Sequence, residues 1–187
     1  MPGACIVTHL SAVLLCLAAA PPGAAADPAA GADPGMVAAP AQEVAIGAPL
    51  REALLTGLNG PSRLLSTYRG KPLLINVWAS WCGPCKAEMA SLERLAWLDR
   101  SRYFAVIGIS TDDEAERAES FLRLFNATIS HFIDRRLQME HMLGASRLPL
   151  TVLVGADGRV LAKIYGARQW DGTDALRLLD DTFRNKR

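Results

Sequence analysis

Apolar residues follow two rhythms along this chain, and the most informative stretch lies where one gives way to the other. Leu73-Leu74-Ile75-Asn76-Val77-Trp78 is a short, almost wholly apolar run, long enough for a buried strand and too short for a core helix. From Pro84 the spacing lengthens. Ala87, Leu92, Leu95, Ala96 and Leu98 recur at helical intervals, with Lys86, Glu88, Glu93, Arg94 and Asp99 between them. Trp81-Cys82-Gly83-Pro84-Cys85 occupies the handover, so a Cys-x-x-Cys stands where a strand passes into a helix.

The same reading extends to both sides. Gly47-Ala48-Pro49-Leu50 opens the patterned region; residues 54–60 and Leu64-Leu65 predict two short strands joined by an Asn59-Gly60 turn. Residues 68–72 form a loop into the central strand. Residues 103–110 predict another buried strand, followed by a helix capped by Thr111, Asp112 or Asp113, with Phe121, Leu122, Leu124 and Phe125 on its apolar side. His131-Phe132-Ile133 predicts a short strand, and residues 137–143 a short helix ending at Gly144. This alternation is the pattern of a parallel sheet covered on both faces. Residues 150–154 and 160–165 then predict an antiparallel pair around an Ala156-Asp157-Gly158-Arg159 turn. A last helix follows, capped by Asp171 or Thr173 and burying Leu176, Leu178, Leu179 and Phe183. The predicted class is α/β, a central mixed sheet flanked by helices with an N-terminal β-hairpin ahead of it.

The position of the two cysteines gives them a chemistry. A helix N-terminus presents unpaired N–H groups and a partial positive charge, which stabilise a thiolate. Cysteine pKa values fall from about 8.5 to about 3.5–7.5 in such settings. Pro84 suits the first turn, where a missing N–H costs nothing, and Gly83 lets a partner backbone approach closely. Cys82, the outer sulfur, is the expected nucleophile, and Cys85, one turn in, the expected resolving thiol. A zinc site needs two further ligands at short spacing; no second Cys pair follows, and His131 and His141 are too far apart. A c-type haem attachment needs His after the second Cys, where Lys86 stands.

The 187-residue chain is long enough for one domain with a real core, and its net charge of +1 gives no reason to expect a nucleic-acid partner. No charged side chain precedes Asp27. Residues 6–20 are apolar apart from Thr8, His9 and Ser11, and Ala24-Ala25-Ala26 offers an Ala-x-Ala cleavage site. Residues 1–26 therefore read as a secretory signal, although one without Lys or Arg ahead of the apolar run. An uncleaved anchor is the runner-up, but the run falls short of the ~20 residues that span a bilayer. Cys16 as a lipidation site is disfavoured by the bulky Leu15 before it. Cleavage near Ala26 removes Cys5 and Cys16 and leaves Cys82 and Cys85 as the sole cysteines, which in an exported protein points to exchange rather than stapling. Residues 27–42, rich in Ala, Pro and Gly, read as a disordered linker, and 43–187 as the folded domain.

Asn76-Val77-Trp78-Ala79-Ser80-Trp81-Cys82-Gly83-Pro84-Cys85-Lys86-Ala87-Glu88-Met89 resembles the active-site segment of the thioredoxin superfamily, most of all the exported TlpA/ResA-type thiol–disulfide oxidoreductases. The resemblance runs from about Gly47 to the C-terminus. It implies a thioredoxin-like fold and a periplasmic reductase with a redox-active Cys82–Cys85 disulfide. The implied partners are disulfide-bearing protein substrates and a membrane-bound electron donor; no cofactor and no metal are implied. Family substrates include apocytochrome c haem-binding cysteines and the thiols of copper-site assembly proteins. The resemblance further implies a cis peptide bond at Leu148-Pro149, facing the dithiol, where base rate alone favours trans. A cis bond there exposes the Leu148 backbone to pair with an extended substrate segment. It also gives Glu88 the role of an acidic residue that tunes the thiols and shuttles a proton, against the plain reading of a solvated helix glutamate. Asn76 stands where cytoplasmic thioredoxins carry a buried aspartate. Ala90 replaces a helix-kinking proline.

Trp81 is expected as a partly exposed platform beside Cys82, so the expected substrate-binding set is Trp81, Gly83, Pro84, Leu148 and Pro149. Trp78 is expected in the core, and His131 and His141 as ordinary histidines. Arg147 and Arg168 bias partner choice by charge or are simply solvated. Two other functions use the same cysteines. A Cu(I) metallochaperone would hold the metal on Cys82 and Cys85, though no Met or His cluster accompanies them. A thiol peroxidase usually has Thr or Ser three residues before the nucleophile, where Ala79 stands.

Overall fold

The computed structural model describes residues 42–98 and 103–184. The expected signal and nearly all of the expected linker lie outside the described residues. Seven strands among them form one mixed sheet: β1 (Leu54–Gly57), β2 (Arg63–Leu64), β3 (Leu73–Trp78), β4 (Ala105–Ser110), β5 (Ser130–Ile133), β6 (Leu150–Val154) and β7 (Val160–Tyr165). The helices are α1 (Gly83–Trp97), α2 (Ala115–Leu124), α3 (Gln138–Leu143) and α4 (Thr173–Arg184). The strand order is β2-β1-β5-β4-β3-β6-β7. β3 pairs parallel with β4, and β4 with β5; the β3–β6, β6–β7, β1–β5 and β1–β2 pairs are antiparallel.

β3 lies between β4 and β6, and all six of its residues are buried. Its side chains alternate between two cores. Leu73, Ile75 and Val77 enter the layer that includes Met139, Met142 and Leu143 of α3. Leu74 packs with Leu92 and Leu95 of α1 and with Leu179 and Phe183 of α4. Trp78, of the same parity, packs with Met89 of α1 and with Ala118, Phe121 and Leu122 of α2. The polar member of this side is Asn76, which is 1% exposed.

Strand and helix identities follow the sequence pattern, with four local differences. The hairpin turn is wider than an Asn-Gly pair, because Gly57 N–H donates to Ser62 Oγ and β2 is only two residues long. Residues 65–68, beginning with the expected strand residue Leu65, form a 3-10 turn. α2 starts from Glu114 without a side-chain cap, since Asp112 is engaged elsewhere. At the start of α4, Leu176 N–H donates to Gly172 O, while Asp171 pairs with Arg94 at 2.6 Å. In addition α1 runs from Gly83 to Trp97 and buries Glu88, Ser91 and Glu93 beside Met89, Leu92 and Leu95, whereas Ala87 is exposed. The helix thus carries two carboxylates on its inner face, where the apolar spacing placed none.

Candidate active site

β3 ends at Trp78, and the next four residues turn the chain into α1. Cys82 N–H donates to Ala79 O at 3.1 Å, and Lys86 N–H to Cys82 O at 3.2 Å, the first helical bond. Cys82 is the N-cap residue: its Sγ accepts the Cys85 N–H at 3.2 Å, and a proline stands in the first turn. The two sulfurs are joined as a disulfide. Cys85 is fully buried and Cys82 is 5% exposed, so the outer–inner order holds by a narrow margin in this oxidised form. Trp81, by contrast, is 68% exposed. Gly83 and Pro84 are exposed too, and a Cβ at Gly83 would meet nothing within 4 Å. The lip over the disulfide is therefore open to a partner.

The loop before the disulfide is held by Asp112. Its carboxylate accepts from Ser80 N–H at 2.9 Å, from Ser80 Oγ–H at 2.7 Å and from Ser110 Oγ–H at 2.7 Å. A residue expected to cap α2 instead clamps the turn that leads to Cys82. The Leu148–Pro149 peptide bond is cis. Pro149 is buried, and half-buried Leu148 packs on the cluster that contains Trp78, Cys82 and Cys85. Exposed Arg147 lays its guanidinium over the Tyr165 ring, 4.7 Å from its centre.

Glu88 follows Cys85 by three residues, hence lies on the same side of α1, and it is 1% exposed rather than solvated. Oε1 accepts from Asn76 Nδ2–H at 2.8 Å. Oε2 accepts from the indole N–H of Trp170 at 3.0 Å and the backbone N–H of Arg168 at 3.1 Å. Burial raises the Glu88 carboxyl above its ordinary value, and these three donors only partly offset that. Asn76 also donates to Thr151 Oγ1 at 3.1 Å, while its own Oδ1 has no partner among the described residues. Trp170, fully buried, and Thr151 are site residues that sequence reasoning missed; both reach Asn76 or Glu88 from about 80 positions away.

A second buried carboxylate, Glu93, sits further along α1. Its Oε2 accepts from Thr128 N–H at 2.8 Å, Thr128 Oγ–H at 2.7 Å and Ile129 N–H at 3.3 Å. Oε1 faces His131 Nε2 at 3.5 Å. The other ring nitrogen, Nδ1, lies 3.2 Å from the indole Nε1 of Trp78. An indole N–H only donates, so Nδ1 accepts, and the proton of neutral His131 sits on Nε2, toward Glu93. Burial would raise the Glu93 carboxyl, but the bonds from His131 and Thr128 outweigh it and hold it low. Burial also depresses His131, which Glu93 only partly counters. Room for the imidazole comes from Gly108 on β4, where a Cβ would stand 2.1 Å from His131 Nδ1. His131, an ordinary histidine by sequence, is thus the middle of a buried three-residue chain, whereas His141 is exposed.

Among the described residues no group of three or more His, Cys, Asp or Glu side chains is arranged to hold a metal. No helix among them is long and apolar enough to cross a membrane. Ala79 is fully buried.

Comparison with known proteins gives a consistent set of relatives. The family profile described as Redoxin matches residues 37–179. The thiol-disulfide oxidoreductase ResA of Geobacillus kaustophilus is 31% identical over 123 residues, which cover 66% of this chain and 71% of the relative. The thiol:disulfide interchange protein DsbE of Vibrio cholerae is 31% identical over 138 residues, 71% of this chain and 73% of the relative. Among solved structures, the thioredoxin domain of a thiol-disulfide oxidoreductase from Bacteroides vulgatus superposes with a TM-score of 0.62 at 20% identity, covering 74% of this chain and 98% of that one. A secreted Mycobacterium tuberculosis disulfide oxidoreductase homologous to E. coli DsbE superposes with a TM-score of 0.57 at 22% identity, covering 70% and 93%. These two structures bear on the fold.

Proposed function

The chain belongs to the Redoxin family and is a thiol–disulfide oxidoreductase with a thioredoxin-like fold; from that premise we propose that it is an exported disulfide reductase working through Cys82 and Cys85. The observation that carries this reading is the placement of Cys82 as N-cap of α1, its sulfur accepting the Cys85 N–H and bonded to Cys85. In the reduced enzyme the helix N-terminus favours the Cys82 thiolate. That thiolate attacks one sulfur of the substrate disulfide. A mixed disulfide forms, and the displaced substrate sulfur leaves and takes up a proton. Cys85, once deprotonated, attacks Cys82 Sγ and releases the second substrate thiol. Two electrons have passed to the substrate, and the enzyme is left with the Cys82–Cys85 disulfide.

Glu88 is the proton acceptor for Cys85 in this scheme. Burial raises its carboxyl and so makes it a stronger base than an exposed glutamate, whereas the Asn76 amide cannot take a proton. Trp81, Gly83 and Pro84 form the exposed lip on which the substrate lies, and Leu148, packed on the cluster that holds both cysteines, brings the cis Leu148–Pro149 bond to the same site. The substrates are disulfide-bearing proteins of the cytochrome c maturation or metal-site assembly type. The periplasm is the place of action, with residues 1–26 as export signal, residues 27–42 as tether and a membrane-bound donor restoring the dithiol. Export rests on the sequence pattern alone; an uncleaved signal serving as anchor is the alternative.

Equilibration with glutathione buffers tests the direction. A reductase equilibrates near the value of thioredoxin, about −270 mV, and reduces insulin in the dithiol form; a value near the about −120 mV of a strong oxidant overturns the reading. Insulin reduction followed across pH with Glu88→Gln tests the proton step. The variant is expected to lose roughly tenfold in rate near pH 7, a modest share of what a positioned base contributes. It should also lose one limb of the pH profile. Stability carries the same signature. Native Glu88 holds its proton above the ordinary carboxyl value of 4.5, so its contribution is complete below that pH and is lost as pH rises through the folded value. Glu88→Gln should flatten that slope. An unchanged rate profile removes Glu88 from the mechanism.

A further inference from the structure

We infer that Glu93 and His131 are positioning residues for the exchange reaction, acting through the Trp78 indole that packs with Cys82 and Cys85. The inference rests on the assignment of exchange to those two cysteines. Three observations carry it. The chain is continuous, from Glu93 Oε1 to His131 Nε2 at 3.5 Å and from Trp78 Nε1 to His131 Nδ1 at 3.2 Å. It is buried along its length, with Trp78 fully buried, His131 1% and Glu93 8% exposed. It also ends in the right place: Trp78 shares one packed cluster with Cys82 and Cys85, and its carbonyl takes the Thr111 N–H at 2.9 Å, next to the Asp112 clamp.

Plain packing does not require such an arrangement. A buried imidazole is kept in one tautomer at the expense of a buried carboxylate, whose other oxygen is fixed by three donors of the α2–β5 connection. A buried indole donor without a partner is destabilising, so the ring is held wherever Nδ1 stands. Trp78 also stacks on Phe121 with ring centres 4.7 Å apart, and meets His131 edge-on at 5.5 Å. The indole is thereby fixed in both tilt and depth. The disulfide and the dithiol differ in sulfur separation, and Trp78 is packed in the same cluster as both sulfurs. A fixed ring therefore sets their relative free energy.

The test uses the full chain and three variants. His131→Asn keeps an acceptor for the indole in the amide oxygen; His131→Leu removes it. Glu93→Gln keeps an oxygen for Thr128 and Ile129 but turns an amide N–H₂ toward Nε2. That moves the imidazole proton to Nδ1, which then cannot accept from Trp78. Two quantities are read, the glutathione equilibrium of Cys82–Cys85 and the hydrogen–deuterium exchange of the Trp78 indole N–H. The expected result is a shift of about tenfold, equivalent to about 30 mV, with faster indole exchange, in His131→Leu and Glu93→Gln. His131→Asn should stay within about twofold of the parent. If His131→Leu fails to fold, Glu93→Gln against His131→Asn makes the same comparison. The inference is overturned if all folded variants keep the parent equilibrium, or if all shift it alike in proportion to lost stability. Failure of the underlying assignment looks different: exchange then survives Cys82→Ser whatever stands at 131.

Discussion

Cys82→Ser is expected to abolish disulfide exchange, lowering the rate by on the order of a thousandfold or more, while Cys85→Ser is expected to start the reaction and stop halfway. A serine hydroxyl is not ionised near neutrality and does not attack a disulfide sulfur, so without Cys82 the first bond never forms. With Cys85 replaced, Cys82 still attacks, but no second sulfur stands beside it to release the product. The burial values run the same way by a narrow margin: Cys82, beside exposed Trp81, is 5% exposed, and Cys85 is fully buried. Non-reducing gels of the Cys85→Ser protein mixed with a disulfide-bearing substrate should show a stable mixed disulfide that a thiol reductant dissolves. Trapping by Cys82→Ser in place of Cys85→Ser would reverse the two roles.

A second large effect is expected on stability. Gly108→Ala should destabilise the fold by about 3 kcal/mol, the upper range for overpacking a tight core, and lower Tm by roughly 10 °C. An added Cβ would stand 2.1 Å from His131 Nδ1, 2.5 Å from its Cε1 and 2.9 Å from Trp78 Nε1. None of these is the free end of a flexible side chain. The imidazole is held on one side by Glu93 and on the other by Trp78, so moving it away breaks at least one of those bonds. The double variant Gly108→Ala/His131→Ala should recover part of the loss, because it removes the ring that the methyl strikes. Chemical denaturation of the four proteins in the cycle reads that coupling. Additive losses, or an unchanged Tm in Gly108→Ala, would mean that the ring moves aside freely.

Much of the molecule was legible because its signals are local. The change of period between Trp78 and Pro84 places the cysteines at a helix start, and β3, β4, β6 and β7 read directly as apolar runs. The polar contacts around the site were hidden because their partners are remote in the chain. Glu88 and Glu93 lie among the polar positions of α1, and nothing nearby shows that both turn inward. Glu88 is received by Trp170 and Arg168, and Glu93 by Thr128, Ile129 and His131. Asp112 shows the same limit. An acidic residue just before a helix has the spacing of a cap, yet the folded chain brings Ser80 within 2.7 Å of it, and the carboxylate goes to the loop instead. The role of Gly108 was equally invisible, since a glycine in a strand says that something approaches but not what.

The central claim is that the start of α1 makes the Cys82 sulfur a ready thiolate. Site-resolved alkylation of the fully reduced native protein across a pH series, with Cys82 and Cys85 peptides quantified separately by mass spectrometry, tests it most directly. Cys82 should reach half its maximal labelling rate well below the about 8.5 of an ordinary thiol, with Cys85 slower throughout. A Cys82 profile that coincides with that of the urea-unfolded chain would contradict it.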